Sequence, residues 1–364
     1  MRKQSIGALI CTGLVGASLF TGVAFAADGA KAADTAKQDA AATEQTEEIQ
    51  RSVVLAQDEN SVTVIDGGGR EVTIELPVDT VVSMYALSYL LAFDMDGHIL
   101  NANSKDINLM IDPTLADGVS VMENGQINVE ALASLDPDLF IHRSDSYDLY
   151  DSLEAVGVTA IGVYSENVDE IKATLNLLGA ALGKPERGQE LAEYFEGIMN
   201  HAAELVADIP ESERHTAILM GSSLGKVAHG DMLQSVMIET AGGINMAHDV
   251  ESDGIWPVVG VEQIFEWDPE YIFLRNASLD YTIEDLKADP AWADLTAVKN
   301  DHVYMVPCDM DSWEFPCLQT ALGTMWMVSV MYPDLMSADE FDEIVTDFYQ
   351  FVYGIEVDRE LLDY

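Results

Sequence analysis

The sequence has 364 residues, of which 17 are Lys or Arg and 64 are Asp or Glu, and its formal net charge at pH 7 is −47. Such a charge repels polyanions, so nucleic acid and anionic membrane surfaces are excluded as partners. Most of the acidic side chains are expected to form a solvated surface. The length is sufficient for two domains of ordinary size, each with its own core.

The first segment has the order of residues that is typical of a secretory signal peptide. Arg2 and Lys3 precede an apolar run over 6–25, which ends in the small-residue sequence Ala-Phe-Ala at 24–26. We therefore predict a signal peptide over 1–26. The protein is expected to be exported and to act in the periplasm or at the outer face of the cytoplasmic membrane.

The sequence leaves the mode of membrane attachment open. Cys11 has Ala8 three places upstream, which does not fit a lipobox, so a lipid anchor is not predicted. No later apolar stretch reaches the ~18 to 20 residues that cross a bilayer. A signal that stayed uncut would act as an anchor, whereas cleavage would release a free protein.

Two short patterns follow the signal. Segment 27–52 is rich in Ala, Asp, Glu, Thr and Gln, has almost no large apolar residue, and is predicted to be a flexible acidic linker. Over 62–74, β-forming residues alternate around three glycines at 67–69, which predicts a β-hairpin. Neither a Lys-Ser/Thr pair nor a helix follows the glycines, so they are interpreted as a turn and not as a phosphate loop.

The rest of the chain has the pattern of an α/β protein. Short apolar runs alternate with helical stretches from Val81 onward, which is typical of βα units and a parallel sheet. Segment 168–209 has helical spacing with a break near Gly183, and it is interpreted as a connecting helix. We predict two Rossmann-like lobes with parallel sheets, at 53–167 and 210–364, joined by this helix.

An internal repeat supports this organisation. Five residues recur at a constant offset of 132, and apolar positions between them also correspond. Each copy predicts a helix, an Asp-Pro turn and a buried strand that ends in Arg. The matching residues are Val129, Glu130, Asp136, Pro137 and Arg143 in the first copy, and Val261, Glu262, Asp268, Pro269 and Arg275 in the second.

Polar residues at strand ends are the first candidates for a binding site. In open parallel sheets, ligands lie beyond the carboxyl ends of the strands, so His142, Arg143 and Arg275 are expected to face the space between the lobes. The two arginines would hold an anionic ligand by charge-assisted hydrogen bonds. The alternative is that each pairs with a nearby surface acid, such as Asp145 or Asp280.

Aromatic and histidine side chains in loops are the second candidates. Tyr85, Trp256 and Trp313 lie at predicted strand ends or in loops, and His229 lies in a loop before a helix, so all four are predicted ligand contacts. By contrast, a Met- and Trp-rich stripe over 325–331 has helical spacing and is interpreted as core. The seven histidines form no local metal motif, and neither a metal site nor an intrinsic cofactor is predicted.

Two further motifs have alternative interpretations. Cys308 and Cys317 do not have the spacing of zinc ligands, and in an exported protein a disulfide between them is favoured over two free thiols. Residues 221–225 fit G-x-S-x-G, so a secreted serine hydrolase with Ser223 as nucleophile is the alternative function. A loop at 226–231 separates the motif from the next helix, whereas a nucleophile elbow enters a helix at once. We therefore predict that the protein is not an enzyme.

From about residue 60 onward, the chain resembles the periplasmic binding proteins of ABC importers for siderophores, heme and cobalamin. In that family one rigid helix joins two lobes. The resemblance rests on the order of several segments, namely 66–73, 128–138, 241–245, 256–262, 292–307 and 322–326.

This resemblance implies a monomeric solute-binding protein that delivers its ligand to an ABC permease dimer. Glu130 and Glu262 match the carboxylates that dock the two lobes to the permease, and Trp256 matches a pocket wall of the cobalamin-binding member. A Glu in the first turn of a helix is also favoured by the helix dipole, which gives a structural alternative for both glutamates.

The ligand itself is ranked by chemistry. A ferric siderophore is the first choice, because an anionic chelate suits Arg143 and Arg275 while aromatic walls suit its organic shell. Heme and cobalamin come next, and a molybdate-type oxyanion is the alternative.

Overall fold

The computed structural model describes residues 50–85, 87–123, 126–252, 255–276, 280–357, 359–362 and 364. They belong to one structural unit that runs from Ile49 to Tyr364. The predicted signal peptide over 1–26, and the predicted linker up to residue 49, lie outside the described residues. No helix of the described part is long and apolar enough to cross a membrane.

The described chain begins with a small antiparallel sheet of three strands, β1 (Val53–Gln57), β2 (Ser61–Ile65) and β3 (Glu71–Glu75). The predicted hairpin is β2 and β3, and the three glycines lie in its turn, as expected. Asp66 is fully buried in this turn, where it accepts hydrogen bonds from the backbone N–H groups of Gly68, Arg70 and Gly162. The hairpin is thereby fastened to the first lobe.

The first lobe contains a three-stranded parallel sheet with the order β4-β7-β8. Alternating helices cover it, as the rhythm of the sequence predicts. Its elements in chain order are β4 (Val81–Ser83), α1 (Leu87–Ala92), α2 (Asp106–Ile111), β5 (Met122–Glu123), β6 (Gln126–Ile127), α3 (Val129–Leu135), β7 (Leu139–Arg143), α4 (Tyr147–Ala155) and β8 (Ala160–Val163).

The segment between the lobes holds two helices, α5 (Val168–Ala181) and α6 (Pro185–Leu205), which pack against each other. The break lies where the sequence predicts it. Gly183 adopts a positive φ of 69°, which glycine tolerates best, and Pro185 is the first residue of α6. With 21 residues, α6 is about 30 Å long at ~1.5 Å per residue.

The second lobe contains a four-stranded parallel sheet with the order β10-β9-β11-β12. Helices again alternate with the strands, and two long helices close the chain. Its elements are β9 (Thr216–Met220), α7 (Leu233–Thr240), β10 (Ile244–Asn245), α8 (Val261–Trp267), β11 (Tyr271–Leu274), α9 (Ile283–Ala288), α10 (Thr296–Lys299), β12 (Val303–Met305), α11 (Thr320–Met331) and α12 (Ala338–Tyr353).

The predicted repeat is confirmed in three dimensions. Helices α3 and α8 both have seven residues, and they begin at Val129 and Val261, which are equivalent positions of the two copies. Each ends at an aspartate in the left-handed conformation, Asp136 with φ 49° and Asp268 with φ 39°. A parallel strand follows in each lobe, β7 in the first and β11 in the second. The carboxyl ends of these strands therefore have equivalent positions in the two lobes.

One hydrophobic core extends through both lobes. The same cluster of buried apolar side chains includes Leu139 of β7, Leu178 of α5, Phe195 of α6 and Leu219 of β9. It continues into α11, where the predicted core stripe is confirmed by the burial of Met325, Trp326, Met327 and Met331. Two smaller clusters fill the outer faces of the sheets. The shared core fixes the relative position of the two lobes.

Candidate functional site

A cavity of about 350 Å³ lies at the carboxyl ends of the first-lobe strands. The residues that follow β4, β7 and β8 form one wall, and they include Tyr85, Arg143 and Tyr164. The opposite wall comes from second-lobe loops around His229 and Ile255, which follow β9 and β10. The cavity is thus built by both lobes, at the position where parallel sheets bind ligands.

Arg143 is the cationic group of this cavity. It follows the buried part of β7, and its guanidinium lies 5.5 Å from the centre of the Tyr85 ring. Its Nη2 atom donates to Asp145 Oδ2 at 2.8 Å, in a pair whose side chains are 42% and 60% exposed. Such an exposed ion pair contributes little to stability. A ligand can therefore replace Asp145 as the acceptor of the Arg143 hydrogen bond with little loss of protein stability.

The second-lobe wall brings a histidine to the same cavity. His229 is buried, with its Nδ1 atom 3.9 Å from Asp231 Oδ2, and the Asp231 side chain is almost fully exposed. Ile255, which is 60% exposed, adds an apolar edge. Thus three predicted ligand contacts, Tyr85, Arg143 and His229, line one cavity together.

Acidic and phenolic groups complete the walls. Burial raises the pKa of the Glu166 carboxyl, and the nearby Arg143 opposes this shift. Burial also raises the pKa of the Tyr85 and Tyr164 hydroxyls, so both remain neutral donors at physiological pH. Among the described residues that line the cavity, Asp145, Glu166 and Asp231 accompany a single arginine, so these residues carry more acid than base.

Arg275 and Trp256 form a separate cluster in the second lobe. The Arg275 guanidinium lies between two aromatic rings, 5.3 Å from the centre of Trp256 and 5.1 Å from that of Phe315. Its Nε atom is 3.4 Å from Glu314 Oε1. The Trp256 ring lies against Gly221, where an added Cβ would come within 2.8 Å of the ring. Neither Arg275 nor Trp256 is among the described residues that line the cavity of Arg143.

The prediction for Trp313 is wrong. Its ring is 0% exposed and packs against Phe341 and Tyr364 in the core. Its Nε1 atom donates to Asp309 Oδ2 at 2.9 Å, which satisfies the polar atom of the buried indole. Trp313 therefore has a structural role and does not face the cavity.

His142 lies on the other face of β7 from Arg143, because successive residues of a strand alternate. Its ring is 6.0 Å from that of Phe140, two residues earlier on the same face. Burial lowers the pKa of His142, and the Arg143 charge adds to this effect. The expectation that both neighbours face the space between the lobes is therefore corrected for His142.

The two cysteines are not bonded to each other. Cys308 and Cys317 are both free thiols, which corrects the predicted disulfide, and the buried Cys317 Sγ contacts the Ser312 carbonyl oxygen at 3.9 Å.

Ser223 lies in a tight turn in which its carbonyl accepts from the Lys226 N–H at 3.1 Å. The chain continues from this turn as extended bridges, and α7 begins only at Leu233. The G-x-S-x-G motif is therefore not a nucleophile elbow.

Glu130 and Glu262 are exposed residues in the first turns of α3 and α8. Asn128 caps α3 by accepting a hydrogen bond from the Ala131 N–H at 2.9 Å, whereas Gly260 precedes α8 without a side-chain cap. Neither glutamate has an ion pair within the described part of the chain. Their carboxylates are thus available to a partner.

Several lining residues were not predicted from the sequence. Tyr164 and Glu166 follow β8 directly, so the rule about carboxyl ends of strands applied to them as well as to Arg143. Asp231 and Ile255 had no such signal, because they come from irregular loops. Within the described ranges, no group of three or more His, Cys, Asp or Glu side chains could hold a metal ion.

The two lobes and the cavity between them are the architecture of a solute-binding protein. The sequence profile of the periplasmic binding protein family matches residues 100–309, more than half of the chain, and the chain therefore belongs to that family. Its relatives and structural neighbours are binding proteins, so it is a substrate-binding protein of the ABC-importer class and not an enzyme.

Two relatives and one solved structure are examples of the proteins to which this chain is similar. Molybdate-binding protein MolA of Haemophilus influenzae is 24% identical over 249 residues, which cover 62% of this chain and 70% of MolA. Fe(3+)-citrate-binding protein YfmC of Bacillus subtilis is 26% identical over 278 residues, with coverages of 73% and 81%. The structure of MolA bound to molybdate has a TM-score of 0.70 at 20% identity and covers 81% of this chain and 99% of MolA.

Proposed function

We propose that the protein is the extracytoplasmic component of an ABC importer, and that it binds a ferric chelate in the cavity of Tyr85, Arg143 and His229 and delivers it to the permease. The observation that carries the proposal is that both lobes line this cavity at the carboxyl ends of parallel strands. Its volume of about 350 Å³ lies within the usual range for small-molecule sites.

The charges of the cavity favour a chelate over a bare oxyanion. A small dianion would meet one arginine, already paired with Asp145, and two further carboxylates of Glu166 and Asp231. A chelate instead spreads its charge over metal-bound oxygens and an organic shell, which Arg143 and the Tyr85 ring can contact together. A ferric siderophore therefore remains the first choice, and heme and cobalamin, whose organic surfaces are larger, follow.

A molybdate-type oxyanion is the second candidate, because MolA is one of the similar proteins. Calorimetric titration of the purified protein with ferrioxamine B, ferric citrate, hemin, cyanocobalamin and sodium molybdate separates the candidates. We expect micromolar or tighter binding of a ferric chelate and no heat from molybdate. Tight binding of molybdate, with none of any chelate, would contradict the proposal.

A further inference from the structure

A second cavity, of about 290 Å³, lies beside the first, and Tyr85 lines both. Its walls come from segments 101–108 and 119–122 of the first lobe, together with Met310 and Asp311 of the second. A ligand held at Arg143 could therefore extend past Tyr85 into this space.

Asn108 of α2 points to a ligand group in the second cavity. Asn108 lines the cavity and is 1% exposed, yet its Oδ1 atom has no hydrogen-bond partner. A buried acceptor without a donor is unfavourable. The other amide oxygens of this wall are already engaged, since Asn101 Oδ1 accepts from the Ser83 N–H and Asn103 Oδ1 accepts from the Lys105 N–H.

Asp311 adds a carboxylate to the same cavity, and it forms no ion pair within the part of the chain that the structure describes. Burial raises the pKa of this carboxyl, and Ser88 and Lys105 only partly oppose the shift. Lys105 is itself occupied, because its Nζ atom donates to the carbonyl oxygens of Asp309 and Met310. Asn108 Oδ1 is thus an acceptor without a donor, and Asp311 is a carboxyl group without an ion pair, whereas the Ser88 hydroxyl, which also lacks a partner in this cavity, can donate as well as accept.

An ammonium group matches these acceptors. It offers three N–H donors and a positive charge, so it can donate to the Asn108 amide oxygen and to the Asp311 carboxylate at once. A neutral amide at the same place would supply one donor and no charge. The net charge of −47 also favours a cationic over an anionic group here.

We propose that Asn108 and Asp311 form a second subsite, which takes the ammonium group of an amine-bearing ferric chelate whose metal centre lies against Arg143. This inference rests on the proposed function and goes beyond it by specifying a substituent of the chelate. The two cavities then bind two parts of one molecule, with Tyr85 between them.

Ferrioxamine B and its N-acetyl derivative test the subsite, since they share the ferric centre and differ only in the terminal amine. We expect the parent protein to bind ferrioxamine B about 10-fold more tightly than the acetylated form. In Asp311→Asn the difference should fall to within about twofold, with the affinity for the acetylated form retained. Asn108→Leu is the second variant with the same expectation, and Asp339→Asn, an exposed acid of α12, is the matched control.

The outcomes separate this inference from the proposed function. Equal binding of the two chelates by the parent, or an undiminished preference in Asp311→Asn, overturns the subsite and leaves the chelate-binding function intact. Binding of ferric citrate without either ferrioxamine overturns the subsite as well. If no chelate binds at all, both proposals fail.

Discussion

Arg143 is the residue on which ligand affinity is expected to depend most. Its ion pair with Asp145 is exposed, so loss of the pair should change stability little, whereas a charge-assisted hydrogen bond to a chelate oxygen is strong. We predict that Arg143→Gln weakens binding of the ferric chelate about 10- to 100-fold, which corresponds to about 1.5 to 3 kcal/mol. Calorimetric titration of the folded variant measures this change.

Arg214→Gln is the control for this substitution, because Arg214 lies outside the cavity and its Nε atom donates to the Ile209 carbonyl oxygen. Its affinity for the chelate and its melting temperature should match those of the parent. If Arg143→Gln binds as tightly as the parent, the guanidinium is not a ligand contact.

Asp309 gives a pH dependence of stability. Burial raises its pKa from 3.8 to about 7, although Trp313 Nε1 and the Met310 N–H donate to the carboxylate and oppose the shift. Asp311, Cys317 and Tyr353 face the same region. The folded state therefore holds a proton that the unfolded state releases above pH 4.

The sign of the effect follows from this difference. The contribution of Asp309 to stability is complete below pH 4 and is lost as the pH rises through 7, and its size is on the order of a few kcal/mol. In Asp309→Asn, the free energy of unfolding should fall less between pH 4.5 and 7.5 than in the parent. Urea unfolding at both pH values measures it, with Asp339→Asn as control. If the free energy of unfolding falls by the same amount between these pH values in Asp309→Asn and in the parent, Asp309 titrates normally in the folded state.

The sequence located some site residues and misplaced others for definite reasons. Arg143 was found because the end of a buried strand is visible in the pattern of apolar residues. Trp313 was misassigned because its location in a loop suggested exposure, whereas the hydrogen bond to Asp309 and the contact with Phe341 depend on tertiary packing. The position of His142 was predictable from strand alternation, because only one of two adjacent strand residues can face the cavity.

Helices α3 and α8 are the elements on which transporter docking is expected to depend. Glu130 and Glu262 are exposed at equivalent positions of the two copies. We predict that Glu130→Gln combined with Glu262→Gln retains ligand affinity but loses salt-sensitive docking and uptake, because exposed charges steer association. The helices should lose only ~0.3 to 1 kcal/mol each from the dipole interaction.

A matched double variant, Glu154→Gln with Glu266→Gln, removes one exposed glutamate from each lobe at other positions. The two double variants are compared by their binding, at low and high salt, to vesicles that carry the permease, and by ligand uptake in cells. Normal uptake by the Glu130 and Glu262 double variant would leave these glutamates as helix-starting residues only.

The repeated elements were predictable because both copies keep one register, with Asp-Pro turns at the same offset. The packing of segment 168–209 was harder to predict, because apolar spacing does not reveal that α5 and α6 fold back on each other. The turn at Ser223 was distinguished from a nucleophile elbow by the loop that follows it. Local patterns thus identified the elements, whereas their mutual packing had to come from the structure.

At the scale of the whole molecule, one apolar core joins the lobes through α5, α6 and α11. A wide opening of the cleft would expose part of this core, which costs free energy in proportion to the apolar area. The ligand is therefore expected to enter a largely preformed cavity, with local rearrangement of the loops around His229 and Ile255.

The position of the iron atom distinguishes chelate binding between the lobes from binding elsewhere on the protein. Crystals of the protein with the ferric chelate that binds most tightly can be measured at the iron absorption edge. We predict one anomalous peak inside the cavity bounded by Tyr85, Arg143 and His229, with residues of both lobes around the chelate. An iron peak on the outer surface, or chelate-saturated protein without iron in this cavity, would contradict it.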